Sequence, residues 1–203
     1  MNLKVPYISQ WDSTASLNKN DCGATSTAMV LNYYGTTCTS DEVFKKTGSG
    51  QGYITFGQLI KAVRSYDYVC EEGFGKDFNF IKQNIDKRQP IICVVHYGYI
   101  PERQDTFTGA HILVVRGYDN NGVFLNDPNY WGAKRANGEN KYVKWSDFNK
   151  AWASTVDGNL ANSYLLIFKK ETTMKTTEKL PEAFYQIKEA KELIKRKLIS
   201  CLS

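Results

Sequence analysis

The chain has 203 residues, of which 42% are hydrophobic and 23% charged, with a formal net charge of +5. That is the make-up of a globular protein with room for one ordinary domain and an appendage, and it excludes a fibrous or intrinsically disordered chain. The longest apolar runs, such as "PIICVVHYGY", are short and lie beside turn residues, so they read as buried strands and no integral membrane segment is expected. The positive balance turns the surface towards anionic partners without naming one. Lys and Arg are scattered among 21 acidic residues and no DNA- or RNA-binding motif is present, so no nucleic-acid partner is expected.

In chain order, "VPYIS" alternates like a short strand. Asp21 stands where it can cap a helix that runs to Gly35, with Ala24, Ala28 and Leu31 on one face. Ser40, followed by Asp41 and Glu42, opens a short helix that stops by Gly48. Thr55 and Gln58 form a capping-box pattern ahead of Leu59, Ile60 and Val63. A further helix spans Asp77–Lys87 and ends before Pro90. The segments "IICVVHYG", "HILVVRGYD", "GVFLND", "KYVKW" and "SYLLIF" then read as strands, with Ser146 capping a short helix through Trp152. A helical first half followed by an antiparallel sheet is an α+β arrangement. Two regions follow: residues 1–170, mixed and globular, and residues 171–203, a linker and amphipathic helix with Leu180, Phe184, Ile187, Ile194, Leu198 and Cys201 at helical spacing. A helix of that length needs a partner surface. Docking on the first region, self-association into a homo-oligomer, and contact with an anionic surface through Lys195, Arg196 and Lys197 are the three readings.

The five cysteines are odd in number and irregularly spaced, and no C-x-x-C pair marks zinc. Reduced thiols are expected, with a Cys38–Cys70 bridge left open and no metal implied. The start "MNLKVPYISQWDS" lacks the apolar core of a secretory signal. The expectation is cytoplasmic synthesis without a signal peptide, with any release to the cell wall by another route.

The chemistry centres on "NDCGATSTAMVLNYYG", which places Cys22 at the start of a helix and follows it with Gly23 and Ala24. A helix N-terminus offers free N–H groups and the positive end of the macrodipole, which favour an anionic sulfur. The small neighbours would let a substrate carbonyl approach. A cysteine nucleophile needs a base, usually histidine, oriented by a third group. Of the two histidines, His111 opens the strand "HILVVRGYD", while His96 lies inside an apolar strand and reads first as core or sheet face, with the base role as its alternative. Asp127 ends the next strand, sixteen residues on (127−111) and ahead of Pro128. If the two strands are hairpin neighbours, Asp127 can accept the ring N–H of His111. Read alone, Asp127 is an ordinary turn residue.

Taken together, "VPYISQ", "DCGATSTAMVLNYYG", "GAHILVVRGYD" and "GVFLNDP", in that order, resemble the bacteriocin-processing (double-glycine leader) cysteine peptidases and their stand-alone relatives, family thirty-nine of the cysteine peptidases, over about residues 4–169. The resemblance implies a papain-like fold, Cys22 as nucleophile, His111 as base and acid, Asp127 as orienter, and Gln10 as an oxyanion-hole donor beside the Cys22 backbone N–H. It implies acyl transfer through a thioester, with no cofactor. One departure stands out. Gln10 precedes Cys22 by twelve residues (22−10), longer than the family's tight spacing, and Asn18 and Asn20 compete for the oxyanion role.

On substrate, a stand-alone basic relative reads as a peptidoglycan endopeptidase of phage-lysin type. Leader-peptide processing and transpeptidation are alternatives, and a non-catalytic peptide-binding module is the alternative of another class. The aromatic segment "DPNYWGAKR" beside Asp127 reads equally as a groove wall and as a surface loop around a buried Trp131.

Overall fold

The computed structural model describes residues 1–12, 20–50 and 53–170. They belong to one unit, Met1–Lys170. The helix expected over the tail, and Asn18, lie outside the described residues.

Three helices come first. In α1 (Cys22–Tyr33), Asp21 occupies the N-cap position, and its backbone carbonyl accepts the Thr25 N–H at 2.8 Å, while its side chain makes no capping hydrogen bond. α2 (Ser40–Thr47) opens at Ser40 as expected, and the residue before it, Thr39, is the cap. Thr39 is extended, and its hydroxyl accepts the Glu42 N–H while Glu42 accepts the Thr39 N–H. Counting from Ser40 would have put Val43 at the reciprocating position, where no carboxylate can answer. Gly48 ends the helix in the left-handed conformation, φ 70°. In α3 (Phe56–Arg64) the Thr55–Gln58 capping box is present as expected.

The sheet has six antiparallel strands. They are β1 (Tyr68–Gly73), β2 (Ile91–His96), β3 (Ala110–Tyr118), β4 (Gly122–Asn126), β5 (Lys141–Lys144) and β6 (Tyr164–Lys169), in the order β1-β6-β2-β3-β4-β5. α4 (Phe78–Asp86) precedes β2, with Asp77 capping it through Phe80 N, and α5 (Trp145–Ala153) follows β5 directly. Lys144, not Ser146, sits at the α5 N-cap, because the Trp145 N–H is held by the Asn121 carbonyl at 2.8 Å and turns the chain there. The fold is α+β, with α1 packed on β3 and α5 on β2. Fully buried Trp152, Phe148, Met29 and Leu31 belong to one continuous core.

"VPYIS" forms no strand; only Asn2 bridges to Gly117. Pro6 has no N–H to give a ladder, and the Val5 carbonyl is taken by the Asn126 side chain at 3.1 Å. A bulge between Val115 and Gly117 interrupts the β3–β4 ladder. Between them, Arg116 turns in and donates to Leu3 O at 2.7 Å and Asn126 Oδ1 at 3.2 Å. These contacts lay the N-terminal segment along the β3–β4 pair and deliver Gln10 to the end of the sheet.

Candidate active site

Two neighbours of the sheet converge on Cys22. α1 is fastened to β3 by the Ser26 hydroxyl, which donates to Ile112 O at 3.1 Å, one turn past Cys22 and one residue past His111. Gly23 permits the close approach, since a Cβ there would lie 3.2 Å from Ile112 Cδ1 and 3.3 Å from Leu59 Cδ1. Gly23 and Ala24 are buried, so their small size serves helix packing as well as access to the sulfur. Cys22 is half-buried and free, and as the first helical residue its backbone N–H has no intrahelical partner.

The β3–β4 ladder ends at the Val114–Asn126 pair, and Asp127 follows directly on the His111 side. The result is a pair with His111 Nε2 and Asp127 Oδ1 2.8 Å apart, both side chains buried. Cys22 and His111 line the same cavity, and with Nε2 turned to Asp127 the other ring nitrogen, Nδ1, is left for the thiol side. Burial pushes the His111 pKa down, but the Asp127 charge and hydrogen bond, with the Cys22 contacts, outweigh it and raise the value to about 10.

Asp127 is itself held on every side. Its Oδ1 also accepts the Asn129 N–H at 3.1 Å, and its Oδ2 accepts the Tyr97 hydroxyl at 3.1 Å. Tyr97 lies in a 3-10 turn (Tyr97–Tyr99) just past β2, fully buried, with its ring centroid 4.2 Å from that of His111. Burial and the Asp127 charge raise its pKa, so it stays a hydrogen-bond donor. The Asp127 carbonyl accepts the Tyr7 hydroxyl at 3.0 Å, and its N–H donates to Gly138 O at 2.8 Å. Only glycine fits at 138, since a Cβ would sit 2.4 Å from Asp127 O.

Gln10 is buried, and its N–H donates to Pro128 O at 2.9 Å. It lines a cavity of about 150 Å³ with Trp11, Asn20, Cys22, His111 and Asn129. A second cavity of about 350 Å³ adjoins it and shares Cys22, Asn20, Tyr53 and Ala110. The twelve-residue separation of Gln10 and Cys22 therefore ends with both on one cavity. Asn20 lines the same space. His96, in contrast, packs its ring 4.5 Å from Tyr99 and lines neither cavity. In "DPNYWGAKR", Asn129 reaches the smaller cavity and Tyr130 is buried, while half-buried Trp131 packs on Trp11 at 4.9 Å and so supports the wall from behind.

Tyr97 and Trp11 were given no role in the sequence reasoning, and Asn129 entered it only as part of "DPNYWGAKR". Tyr97 had one available signal, because an antiparallel pairing of "IICVVHYG" with "HILVVRGYD" places the residue after His96 beside the mouth of the second strand. Among the described residues, no group of His, Cys, Asp and Glu is arranged to hold a metal ion, and no helix is long and apolar enough to cross a membrane.

No curated protein matches this chain. Several solved structures share its fold. A C39-like peptidase of Bacillus anthracis is 20% identical, with a TM-score of 0.60, covering 82% of this chain and 96% of that one. The peptidase domain of Streptococcus ComA, a bifunctional ABC transporter of a quorum-sensing pathway, is 16% identical with a TM-score of 0.59, covering 82% of this chain and 99% of its own. The double glycine motif protease of an AMS/PCAT transporter, solved with the leader peptide, is 18% identical with a TM-score of 0.55, covering 83% and 94%. At these identities the likeness is one of fold. The sequence model of the Peptidase_C39 like family matches residues 2–160, and the chain is therefore a member of that family of cysteine peptidases.

Proposed function

We propose that the chain hydrolyses peptide bonds with Cys22 as nucleophile, His111 as base and then acid, and Asp127 as the group that orients it. The observation that carries this reading is the His111–Asp127 pair, 2.8 Å apart, beside a cavity that Cys22 and His111 both line. His111 holds the proton that the thiol gives up, and the sulfur attacks the carbonyl carbon. The carbonyl electron pair moves to oxygen, where the Cys22 N–H is one donor and the side-chain amide of Gln10, or of Asn20 on the same cavity, is the other. The C–N bond then breaks, and the amine leaves with the proton from His111. Water attacks the thioester, gives its proton to His111, and Cys22 departs. An amine in place of that water would give transpeptidation.

Two substrates fit. A peptide cross-link of peptidoglycan is supported by the net charge of +5, since wall polymers are anionic. A leader peptide is supported by the related fold solved with one. Clearing of purified Gram-positive walls by wild type and not by Cys22→Ala, with new peptide termini found by mass spectrometry, would establish the first. Absence of clearing, with cleavage of leader peptides, would establish the second. If iodoacetamide labels Cys22 no faster than buried Cys93, the peptidase reading fails and a peptide-binding module takes its place.

A further inference from the structure

The two cavities that meet at Cys22 differ in what they can accept. The smaller holds His111, Gln10 and Asn129. A leaving amine must stay within reach of the His111 proton, so the leaving half of the substrate occupies that side. The larger touches Cys22 but not His111, and the acyl half must extend into it. Its walls are mainly apolar. Val94 and Ile112 face each other across the β2–β3 ladder, and Ile54 and Phe56 close the space from the start of α3. Backbone at Gly23 and the small side chain of Ala110 leave the interior open. The one carboxylate on the lining, Asp157, accepts the Ala110 N–H at 2.7 Å, which fixes it on the rim beside the mouth of β3.

We infer that this cavity is a side-chain subsite for a bulky apolar residue, leucine or phenylalanine in size, at one of the two positions preceding the scissile bond. The inference rests on Cys22 being the nucleophile. A volume of about 350 Å³ is more than glycine needs, so the proposed subsite leaves room for substrates without two glycines before the cut. The Asp157 charge disfavours acidic side chains there. Wall cross-links are built from small and charged residues, so the subsite favours a polypeptide over a wall peptide as substrate.

The test uses the full chain and peptidyl chloromethyl ketones carrying Gly, Leu, Phe or Asp at each of the two positions, with Cys22 modification followed by mass spectrometry. Burying one leucine-sized side chain corresponds to about tenfold or more in rate. The Leu or Phe probe is expected to label Cys22 at least about tenfold faster than the Gly probe at one position, with Asp slowest. Val94→Phe fills the cavity and is expected to erase that ratio. Phe56→Ala widens the cavity and moves the preference from Leu towards Phe, which keeps the test open should the Val94 variant not fold. Equal labelling by Gly and Leu probes, or a preference that neither variant alters, would overturn the subsite alone. Iodoacetamide is the separate control. If it labels Cys22 no faster than Cys93, the nucleophile reading falls and takes the subsite with it.

Discussion

At the scale of single residues, the His111–Asp127 contact sets the pH behaviour. A folded-state value of about 10, against an ordinary value near 6.5, means that the folded protein holds a proton that the unfolded chain would release. The pair's contribution to stability is therefore fully present below about pH 6.5 and is lost as pH rises through about 10. Asp127→Asn removes the carboxylate charge, so the alkaline limb of kcat/KM should move to lower pH and the rate should fall by on the order of a hundredfold or more. A limb that stays in place would show that Asp127 does not tune His111. Cys22→Ala should abolish turnover with an unchanged circular dichroism spectrum. Tyr97→Phe keeps the ring against His111 and removes the hydroxyl from Asp127, at about 1.5–3 kcal/mol for a hydrogen bond to a charged group; chemical denaturation together with the pH profile would measure it. Cys22, His111 and Asp127 were legible in the sequence because each lies next to a local marker: a helix start, a strand start, or a strand end before proline. Tyr97 was not, because its task depends on Asp127, 30 residues away.

At the scale of elements, capping was legible wherever the signal spans only three residues. Thr55 with Gln58 was read correctly, and the start of α2 at Ser40 was found while its Thr39–Glu42 capping box was not. Thr55→Ala should cost about 1 kcal/mol of stability, read from the denaturation midpoint. β1 went unseen because "YVCEEG" shows no clean alternation. Its Glu71 accepts the Tyr164 hydroxyl at 2.8 Å, a partner 93 residues away that no local pattern announces. "VPYIS" misled in the opposite sense, because its alternation is real while its carbonyls are spent on side chains. Gly138 sits far from the thiol in sequence yet presses on the Asp127 backbone. Gly138→Ala should cost about 1–3 kcal/mol through overpacking and should lower activity with it; a stability loss without any change in rate would separate that turn from the site.

At the scale of the whole molecule, the α+β class was legible because helical and strand periodicities segregate along the chain. Strand order was not, since it depends on which edges meet in space. The core carries most of the stability. Fully buried Trp152 also donates its indole N–H to Ser163 O at 2.9 Å, and Trp152→Ala should cost about 3–5 kcal/mol.

The place of β6 has a consequence for synthesis. Among the described residues β6 is the last strand in chain order, yet it lies between β1 and β2, in the interior of the sheet. Until it emerges from the ribosome, β2 has an open edge, β1 has no partner, and the floor that supports β3 and its histidine is half built. A chain that lacks β6 therefore carries an unpaired β1 and an open β2 edge, and such edges are where strands mispair.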